Sequence, residues 1–587
     1  MARLSQDLRR SRWFLPVVGL LALAMMVSGA VVFVVHRLGS QDNFPEGKNN
    51  AKPADLLPSG SPAPKPSRRP NIITILADDM RTDDLRWMPN VRHLIEDQGL
   101  NFRNSFAPNP LCAPSRASLL SGQYSQNTGV FTVQERNSYK AFDDRRTIAT
   151  SLNDAGYNTI FLGKYLNGYG VQNSKVTKQP SFRYVPPGWT DWYGSVERPA
   201  HSGFSSGGTY DYYHVLFNHN GTIDDSYNGK YQTDVEGQLA SRMVTKYHHS
   251  RKPFFLYFAP IAPHFGGPTE PGDPTNVVWP DTGKHEEMKT VARPPWVRGM
   301  FDSQIPRASG MPVNGGPSEA DVRDKPRPMR GLPELSAQER VAVRDVTRQR
   351  AEALYVLDKQ VGGLVHTLKA TGEYKNTVIM FTSDNGYFLG EHRVRQGKIK
   401  AHEPSLRVPL VICGPGIPHG QRFDPVSTED LSATILDIGQ AKPPHVPDGA
   451  SVVPSFKADR GWIRPVLTEG TEGARVFHKR VRLPAFMDAR TTIGIRTARW
   501  KYIRYNDGDG ELYDLRKDPN EQRSHYGDPA YAAIQAELDQ VWQSHKDCAG
   551  PACLVPLPKD LQADPAENEA VTDLESLGVQ RRYGYYR

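Results

Sequence analysis

The chain has 587 residues, 38% hydrophobic and 23% charged, which excludes wholesale disorder and a polytopic membrane protein. Its net charge of +8 is concentrated in residues 1–70, where ten Lys/Arg face four Asp/Glu, so the near-neutral remainder argues against nucleic-acid binding. Four cysteines in so long a chain exclude a disulfide-built scaffold.

In chain order, residues 13–35 are an uncharged apolar run, long enough to cross a hydrocarbon core of about 30 Å as a helix. Arg3, Arg9, Arg10 and Arg12 precede it and belong on the cytoplasmic side. The run reads as an uncleaved signal anchor or as a signal peptide cut after Ser28-Gly29-Ala30; either exports the rest of the chain. Residues 1–36 are therefore read as basic segment and anchor, and 37–69 as a Pro/Ser-rich linker.

From Asn71 the pattern changes to short apolar runs separated by polar turns. Strands are predicted at Ile72-Ile73-Thr74-Ile75-Leu76, Thr159-Ile160-Phe161-Leu162, Phe254-Phe255-Leu256-Tyr257-Phe258, Val378-Ile379-Met380-Phe381 and Val408-Pro409-Leu410-Val411-Ile412. Helices are predicted over 91–98 and 351–368. Continuous apolar strands alternating with helices predict an α/β domain over 70–450, a large mixed and mostly parallel sheet covered on both faces. Residues 265–340, rich in Gly and Pro, read as a long insertion. Residues 451–587 read as a smaller antiparallel α+β subdomain and tail, with strands at 491–496 and 502–505 and a helix bearing Ile534, Leu538, Val541 and Trp542 on one face.

In open α/β sheets ligands bind beyond the carboxyl ends of the strands. Asp78-Asp79, Lys164, His264 and Asp384-Asn385 fall at four such ends and predict one polar mouth. Asp78, Asp79, Asp384 and Asn385 are hard oxygen donors suited to Ca2+ or Mg2+, although adjacent acids at a strand end also serve as solvated turn residues.

The run Cys112-Ala113-Pro114-Ser115-Arg116-Ala117-Ser118-Leu119-Leu120-Ser121-Gly122 resembles the signature of the type I sulfatases, within the alkaline phosphatase superfamily. The resemblance extends over roughly 70–545, through Gly163-Lys164, Ala262-Pro263-His264, Ser383-Asp384-Asn385-Gly386, Gly397-Lys398 and Glu511-Leu512-Tyr513-Asp514. Gly163-Lys164-Tyr165-Leu166-Asn167-Gly168-Tyr169-Gly170 most resembles the N-acetylglucosamine-6-sulfatase branch.

The resemblance implies an alkaline-phosphatase-like fold and a sulfatase whose Cys112 is oxidised to formylglycine by a maturation enzyme. It implies Ca2+ at Asp78, Asp79, Asp384, Asn385 and the modified Cys112, with Mg2+ the lesser fit. Arg116 would steady the aldehyde hydrate, Lys164 and Lys398 would contact sulfate, and His264 would protonate the leaving alcohol. The expected substrate is a sulfated small molecule or glycan, such as a 6-O-sulfated N-acetylglucosamine. Other readings are a phosphodiesterase or phosphonate monoester hydrolase of the same superfamily, or a domain that binds sulfated glycan without turnover.

Two positions depart from the family pattern. Leu166 stands where a histidine is common and His402 where a tyrosine is common, leaving His392 or His402 as substitute bases. Cys548 and Cys553 are close enough for a disulfide in an exported domain, Cys413 reads as core, and Asn220-Gly221-Thr222 fits a glycosylation sequon.

Overall fold

The computed structural model describes residues 69–133, 137–274, 277–278, 285–286, 288–470 and 491–585. The expected anchor and linker at 1–68 lie outside these residues. Among the described residues no helix is long and apolar enough to cross a membrane.

In chain order the strands are β1 Asn71–Ala77, β2 Gly99–Phe106, β3 Asn158–Lys164, β4 Asp191–Ser195, β5 Phe217–His219, β6 Thr222–Asp224, β7 Phe254–Ala259, β8 Val277–Val278, β9 His285–Glu286, β10 Thr377–Ser383, β11 Leu410–Cys413, β12 Gly420–Ser427, β13 Val466–Gly470, β14 Thr492–Arg496, β15 Trp500–Tyr505 and β16 Gly510–Asp514. Ten form one sheet in the order β12-β2-β11-β10-β1-β7-β3-β4-β5-β6. Its middle, β10-β1-β7-β3-β4, is parallel throughout. The neighbour β11 runs antiparallel to both β10 and β2.

Alternation along β1 shows why the central strands read as unbroken apolar runs. Ile73 and Ile75 enter one core with Leu239 and Val244 of the helix Gln232–Tyr247 and Leu357 and Val361 of the helix Ala337–Ala370. Ile72 and Leu76 enter the other with Leu119 of the helix Cys112–Ser121 and Ile435 of the helix Thr428–Gly439. Both faces are covered, so both residue parities must be apolar.

Three sequence expectations are corrected. The helix predicted from 351 begins at Ala337, where Ser336 accepts from the Glu339 amide at 3.2 Å and Glu339 accepts from the Ser336 amide at 2.6 Å. Its first half was masked by charge, although Val343 and Val346 are buried against Met288, Met311 and Leu389. The helix predicted over 91–98 is one α turn, Pro89–Val91, followed by a wider π turn, Arg92–Glu96. The fifth predicted strand starts at Leu410, because Val408 bonds sideways to the Ser105 carbonyl at 3.0 Å.

A second sheet, β13-β14-β15-β16, is antiparallel throughout. Leu538 and Val541 of the helix Ala532–His545 are buried with Ile495, Tyr502 and Leu512 of that sheet. Cys548 and Cys553 form a disulfide, and Cys413 is a buried free thiol.

Candidate active site

The carboxyl ends of β1, β3, β7 and β10 lie side by side, which delivers Asp78-Asp79, Lys164, His264 and Asp384-Asn385 to one place. The chain leaves β1 at Asp79 in the left-handed region (φ 68°), a conformation Asp tolerates better than most residues. The Asp79 amide donates to Asp384 Oδ1 at 3.1 Å and the Met80 amide to Ser383 Oγ at 2.9 Å, locking the two strand ends together.

Cys112 is the first residue of a wholly buried helix. Its thiol donates to Asp78 Oδ1 at 3.3 Å and accepts from Lys398 Nζ at 2.8 Å. One turn on, Arg116 donates through Nε to Asp384 Oδ2 (2.7 Å) and through Nη1 to the Lys164 carbonyl (2.7 Å), with Nη2 3.4 Å from Asp78 Oδ2. Lys164 Nζ donates to Asp78 Oδ2 at 2.5 Å, and Lys398 Nζ to Asp79 Oδ1. Asn385 Nδ2 donates to Asp79 Oδ1 at 2.7 Å. All nine residues predicted for the site therefore meet at these strand ends.

The cluster is nearly charge-balanced, three carboxylates against Arg116, Lys164 and Lys398. Burial opposes ionisation of Asp78, but Lys164, His264, Arg116 and Lys398 hold its carboxyl well below the ordinary range. Burial likewise opposes the charge on Lys164 and Lys398, yet Asp78 and Asp79 keep both ammoniums protonated. Burial and then Asp78 push the Cys112 thiol far up, so as a plain cysteine it is a poor source of thiolate. Burial lowers His264 to about 4. Its Nδ1 donates to the Phe265 carbonyl at 2.7 Å, and Nε2 lies 3.8 Å from Asp79 Oδ2.

The residues fit a hard cation. Ligand atoms of Asp78, Asp79, Cys112 and His264 lie within 4.8 Å of one another. Asp79 Oδ2 and Asn385 Oδ1 are buried acceptors without a hydrogen-bond partner. Such oxygens are costly unless something positive meets them, and carboxylate with amide oxygen is the donor set Ca2+ and Mg2+ prefer.

His392 and His402 do not join the cluster. His392 Nδ1 is 2.7 Å from Glu319 Oε2 and His402 Nε2 is 2.9 Å from Glu511 Oε2, both inside a separate buried network. Leu166 is buried in a hydrophobic core. Neither of these two histidines stands in for the missing base: the fold spends both on carboxylates of its own.

Sequence reasoning missed two neighbours. Arg350 donates to the Asp79 carbonyl and, at 3.3 Å, to that of Pro263, bracing both sides of the mouth. Tyr210 lies with its ring centre 5.1 Å from the His264 ring and 5.1 Å from Lys164 Nζ. Neither carries a local signal. One is an arginine among many on a polar helix, the other a tyrosine in a Gly/Ser-rich loop.

The family model described as Sulfatase matches residues 70–441, and that described as N-sulphoglucosamine sulphohydrolase, C-terminal, matches 390–547. An arylsulfatase of Volvox carteri is 28% identical over 526 residues, covering 83% of this chain and 76% of the relative. An N-acetylglucosamine-6-sulfatase of Homo sapiens is 28% identical over 525 residues, covering 84% and 87%. A protein solved in complex with its substrate D-glucosamine-2-N,6-O-disulfate shares the fold, with a TM-score of 0.58 at 22% identity over 82% of this chain and 98% of that one.

Proposed function

The chain belongs to the sulfatase family and is a sulfuric ester hydrolase, and from that premise we propose that it removes the 6-O-sulfate of an N-acetylglucosamine-type sugar by way of formylglycine at Cys112. The observation that carries the reading is the setting of Cys112. It opens a buried helix, with Lys398 Nζ 2.8 Å and Asp78 Oδ1 3.3 Å from its sulfur, at the first position of the run that resembles the sulfatase signature. Relatives named N-acetylglucosamine-6-sulfatase support the sugar and its position.

A sulfate ester shields its sulfur with anionic oxygens, so displacement needs an activated nucleophile, cations around the sulfuryl group and a proton for the departing alcohol. The aldehyde hydrate at position 112 supplies the nucleophilic hydroxyl. Asp78, Asp79, Asp384 and Asn385 would hold Ca2+, which when bound polarises a sulfuryl oxygen. Arg116, fixed by Asp384 and the Lys164 carbonyl, keeps a guanidinium beside residue 112. Lys164 and Lys398 offer two charged ammoniums to the sulfuryl oxygens. His264 has Nδ1 committed to the Phe265 carbonyl, which leaves Nε2 as the ring nitrogen that would take up a proton from solvent and pass it to the leaving oxygen.

We propose that the catalytic domain, residues 70–450, works outside the cytoplasm, tethered by residues 13–35 or released by signal cleavage, with 451–587 as its C-terminal subdomain. The Cys548–Cys553 disulfide supports an oxidising compartment. A formylglycine-generating enzyme would act on the Cys112 segment.

The test is sulfate and free-sugar release from N-acetylglucosamine 6-sulfate, beside turnover of a phosphate diester and a phosphonate monoester. Equimolar sulfate and sugar, with the phosphoryl esters at least about 100-fold slower, supports the proposal. Faster phosphoryl turnover, or recovery of bound and intact sugar sulfate, contradicts it.

A further inference from the structure

If His264 protonates the leaving oxygen, the leaving group must lie against His264. Two rings flank that imidazole: Phe265, 4.2 Å away with its plane at 29°, and Tyr210, 5.1 Å away at 32°. The acids and cations of the centre are buried, whereas Tyr210 and Phe265 both reach solvent. These two rings are therefore partly exposed side chains that stand directly beside His264.

Tyr210 is held on three sides. Its carbonyl accepts from the Gly267 amide at 2.9 Å, its hydroxyl accepts from Asn167 Nδ2 at 2.5 Å, and Lys164 Nζ stands over the ring. Asn167 is in turn fixed from below: the next amide, Gly168, donates to Glu197 Oε1 at 3.0 Å. A Cβ on Gly170 would fall 2.1 Å from the Glu197 carbonyl oxygen. Gly170 thus lets this segment close on Glu197, with Asn167 meeting Tyr210 three residues earlier. Asn167 Oδ1 is a buried acceptor without a hydrogen-bond partner.

We infer that Tyr210, with Asn167 and Glu197 at its polar edge, is the seat of the leaving sugar ring. A pyranose has an apolar C–H face and a rim of donors. The face lies on the Tyr210 ring, and a hydroxyl or amide donor of the rim satisfies Asn167 Oδ1. The half-buried Glu197 carboxylate accepts from a neighbouring hydroxyl. The inference rests on the sugar-sulfate reading above and assigns the part of the mouth that the sulfate itself does not touch.

The test separates the two halves of the substrate. Wild type, Tyr210→Leu and Tyr210→Phe are assayed on N-acetylglucosamine 6-sulfate, and each is titrated with inorganic sulfate as competitive inhibitor, which probes the sulfuryl pocket alone. Loss of a stacking ring is expected to raise KM about tenfold in Tyr210→Leu, with the sulfate inhibition constant within about threefold of wild type. Tyr210→Phe, which keeps the ring, is expected to stay within about threefold in KM. An unchanged KM in Tyr210→Leu, or equal weakening of sugar sulfate and inorganic sulfate, overturns the assignment. A wild type that binds inorganic sulfate but never releases it from the sugar overturns the functional reading instead.

Discussion

Arg116 shows how little freedom the centre leaves a single side chain. One guanidinium serves Asp384 and the Lys164 carbonyl at 2.7 Å each and lies 3.4 Å from Asp78. A lysine has the charge but not the planar fork. Arg116→Lys is expected to lower kcat by about 10- to 100-fold with a smaller change in KM, measured by steady-state kinetics. Asp144 makes a different residue-scale prediction. Burial pushes its carboxyl up to about 7, against the opposing hydrogen bond from the Tyr184 hydroxyl at 2.9 Å. In the unfolded chain it titrates near pH 4, so between about pH 4 and 7 the folded chain keeps a proton the unfolded chain has lost. Its contribution to stability is full below about pH 4 and lost as pH rises through about 7. Asp144→Asn, which cannot ionise, should therefore unfold at a higher temperature than wild type at pH 8, with the gap closing towards pH 4. An equal Tm difference at both pH values would contradict this.

At the scale of elements, the segment that carries Lys398 is gripped by the C-terminal sheet. Glu403 accepts from Lys501 of β15 (2.9 Å), Arg496 of β14 (3.1 Å) and Arg407 (2.8 Å), all buried, while His402 pairs with Glu511 of β16. Removing one member leaves buried charge uncompensated. Glu403→Gln should cost about 3–5 kcal/mol, read as a lower unfolding midpoint in urea. The loss of Lys398 register should lower kcat further than the fall in folded fraction explains. The same elements show what was legible in the sequence. Central strands announced themselves because both faces are buried, and the metal-side acids followed from where those strands end. The sheet edge did not: β2 alternates Leu100 and Phe102 with Asn101 and Arg103, and β12 carries Pro425 beside an irregularity in its pairing. Arg350 and Tyr210 were illegible for another reason. Their positions beside the site are set by tertiary packing, and nothing within a few residues of either marks it.

For the whole molecule, the orphaned oxygens of Asp79 and Asn385 predict that a cation bound there would stabilise the fold as well as serve the proposed chemistry. Binding to the folded state alone stabilises by mass action. Chelation should lower Tm by several degrees, and Ca2+ should restore it more fully than Mg2+ at equal concentration; an unmoved Tm would count against the site. The proposed chemistry turns on one side chain, the buried Cys112 thiol held between Lys398 and Asp78, whose conversion to formylglycine it requires. Mass spectrometry of the tryptic peptide 104–116, from active protein made in its native host, tests this most directly. Formylglycine at Cys112 in proportion to activity is the expected result. Fully active protein with a plain cysteine there would contradict it.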